Sequence, residues 1–541
     1  MRADIGTVRR AVEPPASDMV ATLMPHVSVI VPVYNPGSDI DDLIDSLLGQ
    51  SLPPEDLELI FVDDGSTDAT PQRLDALAAG HAHVRVRHIP NSGWPGRPRN
   101  VGLDLARGEH VLFADNDDWL GREALERLHA TALRDDADVV VGKVVGHGKF
   151  VPRGLFSANR RSVTLAEWPA LLGLLTPHKL FRRTLLDEHG IRFPEGRRRL
   201  EDHMFVVHAL FHARAVSVLA DYPCYHWVRR DADANASYRP FEAVGYYQNV
   251  REVLDLVDEH TEPGPLRDRL SAHWYRGKML GRVGGPYFLR RDADHRRELH
   301  REVRRLALER YSRQVDAGLP LNLRVRSHLL REATYESLEA LAAVEDELRA
   351  KPALRHLSRQ GDAVVLRVEA SLVSAGKPLS FVRRAGRLLW IPPAPLHEAL
   401  PPEALDATEE LPASRAQLFL RSTADRSEYV IPGQTEVRLE DADGPGERVR
   451  AVLLTEARLV PATAAAGSPL PPGDWEVFAV VTVAGFSTPR RVRGPGDDPL
   501  TLIVDPAGRV VERRTALSRR VAHRVPWAAR LARRARAAAG R

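Results

Sequence analysis

Cysteine is nearly missing from this chain, and long apolar runs are missing from its 541 residues altogether. With Cys224 as the one cysteine, neither an intramolecular disulfide nor a cysteine-based metal site can form. No apolar run approaches the roughly 18–20 residues that a membrane-spanning helix needs. The opening arginines are not followed by an apolar core of signal-peptide length. We therefore expect a cytoplasmic protein that does not cross a membrane.

An excess of one sign of charge is also missing over most of the chain. The 76 basic and 73 acidic residues leave a formal net charge of +3. The exception is the stretch 513–541, a separate basic tail with many arginines and no acidic residue. A length of 541 residues exceeds one compact core, so about two to four domains are expected.

The first large region alternates between strand and helix patterns. The run 27–33 is apolar and rich in β-branched residues, which is typical of a buried parallel strand. Apolar residues at helical spacing follow from residue 40, and the alternation continues as far as residue 145. Strands that alternate with helices predict βαβ units and a mostly parallel sheet. Ligands of such sheets bind beyond the carboxyl ends of the strands.

The periodicity changes twice beyond this region. Segments 241–260, 266–280, 295–311 and 327–350 have a helical period, whereas short β-rich runs separated by Pro and Gly turns follow from about residue 360. The β-rich runs predict an antiparallel sandwich. The predicted organisation is a flexible arm (1–25), an α/β domain (26–240), a helical linker domain (241–358), a β-rich C-terminal domain (359–512) and the basic tail (513–541).

Acidic residues follow two of the predicted strands. Asp63 and Asp64 can accept the ring N–H of a base or bind ribose hydroxyls, although Asp-Gly-Ser-Thr is equally suited to a plain turn. The run 115–118, Asp-Asn-Asp-Asp, brings three carboxylates together, and they repel one another without a cation. Hard oxygen ligands suit Mg²⁺ or Mn²⁺. The alternative is a solvated acidic turn that caps the next helix.

Three further features are candidates for chemistry. Arg97 and Arg99 lie in a loop rich in Gly and Pro and can face phosphates, or simply pair with carboxylates. The pair Glu201-Asp202 precedes an apolar helix and can supply a general base, with a helix cap as the alternative. His226 can ligate a metal, although a lone histidine usually does not.

Taken in this order, the motifs resemble glycosyltransferase family 2, whose members have the GT-A fold. The matching segments are 27–35, 62–68, 91–103, 115–118, 179–182 and 201–202, over roughly residues 25–235. The resemblance implies an α/β GT-A catalytic domain with a mostly parallel, nucleotide-binding sheet. A helical linker and a C-terminal module like a β-sandwich are expected to follow it.

The resemblance also implies roles for single residues. Asp202 matches the general base, with Glu201 beside it. Asp117 is the expected direct ligand of Mn²⁺ or Mg²⁺, with Asp115 as its partner and His226 as a late ligand. The residues expected to contact the nucleotide sugar are Pro32, Tyr34, Asp63, Asp64, Asn91, Arg99, Asp115 and Asn116.

The activity implied by the resemblance is an inverting, metal-dependent transfer of a hexose or N-acetylhexosamine from a UDP-sugar to a hydroxyl of a cell-envelope glycopolymer. A capsular polysaccharide or a lipid-linked glycan fits as the acceptor too. Processive synthases of the same superfamily carry membrane spans and a Gln-x-x-Arg-Trp motif, and neither is found here. A non-catalytic carbohydrate-binding scaffold is the alternative from another class, and the intact acidic pairs argue against it.

The helical and β-rich regions are similar to the linker and C-terminal modules of bacterial wall-teichoic-acid glycosyltransferases. Those enzymes add N-acetylglucosamine to poly(ribitol phosphate), and some are trimers through the C-terminal region. This second resemblance implies a teichoic-acid acceptor and a homo-oligomer, a trimer assembled through the C-terminal domain.

The basic tail allows more than one interpretation. Leu517, Val521 and Val525 recur at near-helical spacing among arginines, which is typical of a helix lying on an anionic membrane. Pro526 would divide such a helix into two pieces. A disordered, solvated tail is the alternative. Nucleic-acid binding is disfavoured because Trp527 is the only aromatic residue available for stacking.

For the membrane interpretation, full-length protein should sediment with anionic vesicles at low salt, because each basic residue near the surface contributes about 1 kcal/mol. Protein ending at residue 512 should stay in the supernatant, and vesicles without anionic lipid are the control. Equal sedimentation of both proteins would exclude the tail as the anchor.

Overall fold

The computed structural model describes residues 24–149, 151–229, 241–442, 447–465 and 467–512. Most of the predicted arm and the whole basic tail lie outside the described residues, so the predictions for them stay predictions. Over the described ranges, no helix is both long and apolar enough to cross a bilayer.

The first region is an α/β domain built on one large sheet. Its strands are β1 (Val27–Val33), β2 (Leu57–Asp63), β3 (Val84–His88), β4 (His110–Phe113), β5 (Trp119–Leu120), β6 (Val139–His147), β7 (Arg160–Val163), β8 (Leu180–Arg182) and β9 (Val216–Val228). Its helices are α1 (Asp41–Leu48), α2 (Thr70–Gly80), α3 (Gly96–Leu105), α4 (Ala124–Asp135), α5 (Arg183–Glu188) and α6 (Glu201–His212).

The sheet is parallel in one half and mixed in the other. Strands β3, β2, β1 and β4 are neighbours in this order and all run parallel. The short strand β8 then pairs antiparallel with both β4 and β6, and β9 runs parallel to β6. The α/β fold class is confirmed, and β8 is the reason that the sheet is less uniformly parallel than expected. The carboxyl ends of β1, β2 and β4 meet at one edge.

Helices follow from residue 243 to residue 346. They are α7 (Ala243–Glu259), α8 (Pro265–Trp274), α9 (Gly285–Leu289), α10 (Ala293–Arg310), α11 (Leu321–Glu332) and α12 (Tyr335–Asp346). The single helix predicted over 327–350 is wrong, because α11 ends at Glu332 and Thr334 caps α12 by accepting a hydrogen bond from the N–H of Ser337. The helix predicted over 266–280 turns into a π-helix at Tyr275–Met279.

The C-terminal region consists of antiparallel sheets. Its strands are β10 (Leu348–Ala350), β11 (Ala353–Gln360), β12 (Ala363–Ala370), β13 (Leu372–Ser374), β14 (Lys377–Pro378), β15 (Ser380–Arg384), β16 (Arg387–Trp390), β17 (Arg415–Ser422), β18 (Glu428–Val430), β19 (Gly433–Asp441), β20 (Arg448–Leu459), β21 (Gly473–Val483), β22 (Phe486–Arg491), β23 (Thr501–Val504) and β24 (Val510–Glu512). The short helices α13 (Ala394–His397) and α14 (Pro402–Leu405) lie between β16 and β17.

Two larger sheets carry this region. One has the order β11–β12–β20–β15–β16, and the other has the order β18–β17–β21–β23–β24. The rings of Trp390 and Phe486, one from each sheet region, lie 5.0 Å apart between centroids. The predicted boundary at 358/359 falls inside β11, and the strands of this region begin at Leu348. Since β11 is a half-exposed edge strand, its sequence lacks the apolar run that would have marked it.

The C-terminal sheets contact both preceding regions. Nδ1 of His147, at the end of β6, lies 2.9 Å from the backbone oxygen of Asp425. Arg324 of α11 donates to Glu410 at 2.7 Å. A Cβ at Gly467 would lie 2.7 Å from the backbone oxygen of Asp221 in β9, so only glycine permits this approach. The three regions are therefore joined by specific polar and close backbone contacts.

Helix α3 packs on β1 at Gly102, where a Cβ would lie 2.3 Å from Cγ2 of Ile30. We expect Gly102→Ala to destabilise the α/β domain by about 1–3 kcal/mol, because the added methyl group overpacks a buried contact. The urea midpoint followed by tryptophan fluorescence measures the effect. Gly80→Ala is the matched control, since no atom lies within 4 Å of its Cβ position at the end of α2. Equal midpoints for the two variants would contradict the packing argument.

Candidate active site

A cavity of ≈ 530 Å³ opens at the edge where β1, β2 and β4 end. Side chains from α6 and from the helical region close its far side. The cavity brings together ten of the twelve site residues predicted from the sequence. These ten are Pro32, Tyr34, Asp64, Asn91, Arg99, Asp115, Asn116, Asp117, Glu201 and Asp202.

The two aspartates after β2 have different roles. Asp64 lines the cavity and accepts hydrogen bonds from the N–H and hydroxyl of Ser92, both at 2.9 Å. Burial raises the pKa of Asp64 above its ordinary value, although these hydrogen bonds oppose the shift. Asp63 instead accepts from the N–H of Ser66 at 3.0 Å and lies 2.8 Å from Nδ1 of His88. The structure therefore assigns the cavity to Asp64 and corrects the placement of Asp63.

The acidic run after β4 forms the floor of the cavity. Asp118 is fully buried and accepts from the hydroxyl of Tyr225 at 2.8 Å and from the N–H of Val228 at 2.7 Å. Burial, and then the charges of Asp117 and Asp115, raise the pKa of Asp118 well above its ordinary value. The raised pKa reflects a concentration of negative charge at this point.

Asp115 has two nitrogen-bearing partners, the guanidinium of Arg99 and the ring of His178. Its Oδ1 accepts a hydrogen bond from Nη2 of Arg99 at 2.8 Å, and its Oδ2 lies 3.1 Å from Nε2 of His178. Burial alone would raise the pKa of Asp115, but His178 and Arg99 hold it below its ordinary value. Asp115 is therefore ionised inside a buried site.

This group of side chains suits a hard divalent cation. The ligand atoms of Asp115, Asp118 and His178 lie within 4.8 Å of one another, and Asp117 lines the same cavity. Carboxylate oxygens dominate the set, which is the donor chemistry that Mg²⁺ and Mn²⁺ prefer. His178 was not identified from the sequence, because nothing around it marks a ligand before the fold places it against Asp115.

His226 does not line the cavity, so the structure gives no support to its prediction as a late metal ligand. Its Nδ1 lies 2.9 Å from Nε2 of His147, and its ring stacks on Trp119 with 5.1 Å between centroids. Side chains alternate along a strand, so Tyr225 and Trp227 face the site and His226 faces away. Burial, and then His147, lower the pKa of His226 to about 3.

Asp202 stands at the start of α6, facing the acidic floor. Burial, and then the charge of Glu201, raise the pKa of Asp202 to about 7. Lys278 and Arg99 oppose this shift. Glu201 itself lies 3.6 Å from Nη1 of Arg99, so Arg99 connects the end of β4 to the start of α6. A carboxyl group with a pKa near 7 can accept a proton at neutral pH.

The helical region contributes cavity residues that the sequence did not reveal. Lys278 of the π-helix and Arg282 lie about 80 residues after Asp202 in the chain and line the same cavity. Lys149 also lines the cavity, with its Nζ 4.6 Å from the centroid of the Trp227 ring. No local motif marks these cations, and Lys278 and Arg282 reach the site only because the helices pack against α6.

The mixed α/β sheet with clustered acidic residues at its strand ends defines a protein class, the GT-A type of nucleotide-sugar enzyme. The sequence profile of Glycosyl transferase family 2 matches residues 28–190, and that of the Glycosyl transferase TarS linker domain matches residues 243–342. The chain belongs to glycosyltransferase family 2.

Two curated relatives illustrate the similarity. The poly(ribitol-phosphate) β-N-acetylglucosaminyltransferase TarP of Staphylococcus aureus is 30% identical over 48% of this chain and 80% of its own length. The poly(ribitol-phosphate) β-glucosyltransferase of Bacillus spizizenii is 36% identical over 43% of this chain. That match spans only 36% of the Bacillus protein's length.

Solved structures are similar over a larger share of the chain. Residues 1–349 of Staphylococcus aureus TarS, crystallised with UDP-GlcNAc, match with a TM-score of 0.55 and 26% identity over 68% of this chain and 96% of that one. The longer TarS structure matches over 91% of this chain and 86% of its own length, with a TM-score of 0.53 and 21% identity. The second match shows that the arrangement of catalytic, helical and β-sheet regions is shared as a fold.

We expect Asp117→Ala to weaken Mn²⁺ binding by more than about tenfold, since even outer partners of metal ligands contribute about 10–100-fold to affinity. Electron paramagnetic resonance of free Mn²⁺ measures the binding of the metal alone. His226→Gln is the control, and its affinity should stay within about twofold of the wild type, because the side chain faces away from the cavity. A comparable loss in His226→Gln would restore His226 as a metal ligand, and an unchanged affinity in Asp117→Ala would contradict the assignment of Asp117.

Proposed function

We propose that this chain is an inverting, metal-dependent glycosyltransferase that moves a hexose or N-acetylhexosamine from a UDP-sugar to a hydroxyl of a poly(ribitol phosphate) cell-wall polymer. The observation that carries the proposal is a buried carboxyl group, Asp202, whose raised pKa suits a base and which shares one cavity with the acidic floor and with Asp64.

The donor end of the cavity is formed by Asp64, Asn91, Pro32 and Tyr34. Nδ2 of Asn91 donates to the backbone oxygen of Asp64 at 2.7 Å, so the loop after β3 fixes the position of this aspartate. Asp64 can then accept the N–H of a pyrimidine base. The TarS structure with UDP-GlcNAc supports a UDP-sugar as the donor. The relatives' names include a glucosyl and an N-acetylglucosaminyl transferase, so both sugars are candidates.

The diphosphate end of the cavity is formed by Arg99, Asp115 and Asp117. Divalent metal ions are general among enzymes of this fold, and the donor set suits one. A divalent cation held by Asp115 and Asp117 would supply positive charge to the departing diphosphate. Arg99 uses Nη2 for Asp115, whereas its Nε and Nη1 have no hydrogen-bond partner among the described residues. Arg99 can therefore donate to a phosphate oxygen.

The base of the reaction is Asp202. It takes the proton of the acceptor hydroxyl as that oxygen attacks the anomeric carbon, on the face opposite to the departing diphosphate. One such displacement inverts the configuration of the anomeric carbon. Glu201 lies 3.6 Å from Arg99, and its charge beside Asp202 raises the pKa of Asp202, which makes Asp202 a stronger proton acceptor.

The acceptor side of the cavity is cationic. Lys278, Arg282, Arg199 and Lys149 line the same cavity as Asp202. Burial lowers the pKa of Lys278, and the charge of Asp202 opposes this shift, so the two groups stabilise each other's ionised forms. A cationic wall beside the base suits an acceptor with a phosphate next to its hydroxyl groups. The poly(ribitol-phosphate) transferases among the relatives support this acceptor class over a neutral capsular or lipid-linked glycan.

The function test is transfer itself. Purified protein should release UDP and label poly(ribitol phosphate) when given UDP-GlcNAc or UDP-glucose, and a chelator should stop both processes. Donor binding without any turnover on polymer or glycan acceptors would instead favour the non-catalytic scaffold. Assembly as a trimer through the C-terminal sheets remains a prediction, which the mass of the protein in solution tests.

We expect Asp202→Asn to lower the transfer rate by about 10²–10⁴-fold while UDP-sugar affinity is retained, because the variant keeps its size but cannot accept a proton. In the wild type only the deprotonated carboxylate acts, so kcat/KM should rise with pH until about pH 7, the raised pKa of Asp202, and then level off. The measurement is UDP release across pH 5–9. An unchanged rate in Asp202→Asn would remove this residue from the mechanism.

We expect Lys278→Met to raise the KM for poly(ribitol phosphate) by about tenfold with a smaller effect on UDP-sugar affinity, because a charge-assisted contact to phosphate is lost. Steady-state kinetics with the polymer as the varied substrate measure the change. Lys351→Met is the matched control, since Lys351 is exposed and outside the cavity. Identical KM values for the two variants would argue against a phosphate contact at Lys278.

A further inference from the structure

A group of histidines lies where α6 and the end of α7 meet, away from the cavity just described. His208 and His212 are one helical turn apart, and His260 follows the end of α7. One ligand nitrogen from each of the three side chains lies within 4.8 Å of the other two. All three residues are half-buried, so a small ion can reach them from solvent. The proposed function uses none of these residues.

The distances between the rings fit a shared cation. Nε2 of His260 lies 3.2 Å from Nε2 of His212. Nitrogen atoms bound to one tetrahedral zinc ion at about 2.0–2.1 Å are about 3.3–3.4 Å apart. His208 is 5.0 Å from His212 and 5.5 Å from His260 between ring centroids. The third ring therefore borders the same point in space.

The backbone prepares one of these rings for a metal. Nδ1 of His260 lies 2.9 Å from the backbone oxygen of Leu256. A carbonyl oxygen only accepts, so Nδ1 donates this hydrogen bond, and Nε2, which faces His212, is the nitrogen left to bind a metal. Histidines that bind metals in proteins are usually held in this way, by a carbonyl or carboxylate on the other nitrogen.

The donor type separates this group from the acidic floor of the cavity. Three neutral imidazoles suit zinc and similar transition-metal ions, whereas Mg²⁺ prefers oxygen ligands. Burial and the three neighbouring imidazoles lower the pKa of His208 to about 4, so its ring is neutral at neutral pH. The ring of His189 stacks on His212 with 3.9 Å between centroids and restricts its orientation.

We propose that His208, His212 and His260 form a binding site for a zinc-type ion that fastens α6 to α7. Helix α6 carries Asp202 in its first turn, and α7 begins the helical region that supplies Lys278. At 1.5 Å per residue, the ion would lie roughly 9–15 Å along α6 from Asp202. The bound ion would therefore stabilise the junction of the two regions without entering the catalytic cavity.

A second group supplies the rival location. Glu109, His110 and His129 also have ligand atoms within 4.8 Å of one another, at the opposite end of β4. Both ring nitrogens of the buried His110 lack a hydrogen-bond partner among the described residues. The nearest ring nitrogens of His110 and His129 lie 4.0 Å and 3.9 Å from the carboxylate of Glu109. Both distances are longer than the 3.2 Å between His260 and His212. The three-histidine group therefore needs less movement to bind an ion.

The experiment uses full-length protein without a histidine tag. Zn²⁺ binding is measured by calorimetry, and Co²⁺ binding is measured by the visible absorption that tetrahedral cobalt gives. With excess Mg²⁺ present to occupy the acidic floor, wild-type protein should bind one Zn²⁺ ion more than the double variant and unfold at a higher temperature when zinc is added. His208→Gln/His212→Gln should lose more than about 100-fold in affinity together with the zinc-dependent rise in Tm.

Two single variants serve as controls. His356→Gln changes an exposed histidine of β11, and His129→Gln removes a ligand from the rival group. Both should bind Zn²⁺ like the wild type. Loss of binding in His129→Gln with full binding in the double variant would overturn the proposal, as would the absence of a tetrahedral Co²⁺ spectrum in the wild type. Circular dichroism of each variant before metal is added confirms that its helices are formed.

Discussion

The buried guanidinium of Arg99 holds the proposed active site together. Arg99 is 5% exposed, and it reaches Asp115 after β4 and Glu201 at the start of α6. Without this cation the cavity would place several carboxylates in a low-dielectric space with little compensation, and their repulsion would separate α6 from the sheet. Removing one member of a buried charge pair typically costs about 3–5 kcal/mol. One side chain thus supports both the proposed metal-binding floor and the position of the proposed base.

The fold could be predicted to the extent that each element has a local signal. Buried parallel strands such as β1 and β2 are apolar on both faces and stand out in the sequence. The three-residue strand β8 has no such signal, and only its pairing with β4 and β6 defines it. The break between α11 and α12 was missed because the apolar period continues across it. The edge strand β11 was missed because half of its residues face solvent.

The site could be predicted where chemistry follows a strand end. Asp64, Asp115 and Asp117 meet because parallel strands end at a common edge, and that rule needs only the order of the strands. The rule cannot say which of two adjacent residues faces inward, and for this reason Asp63 was included. The position of His226 outside the cavity could not be predicted, for a related reason. The pairing of β9 with β6 shifts register twice, so the side that each residue faces could not be counted from the sequence.

Strand β9 connects the C-terminal region to the cavity. His226 and His147 form a chain of imidazoles that ends on the backbone of Asp425, while Trp227 of the same strand lines the cavity. Gly467 abuts the strand at Asp221. The C-terminal region thus touches the strand that carries Trp227. A substitution at Asp425 or Gly467 can therefore be felt at the cavity wall although neither residue lines it.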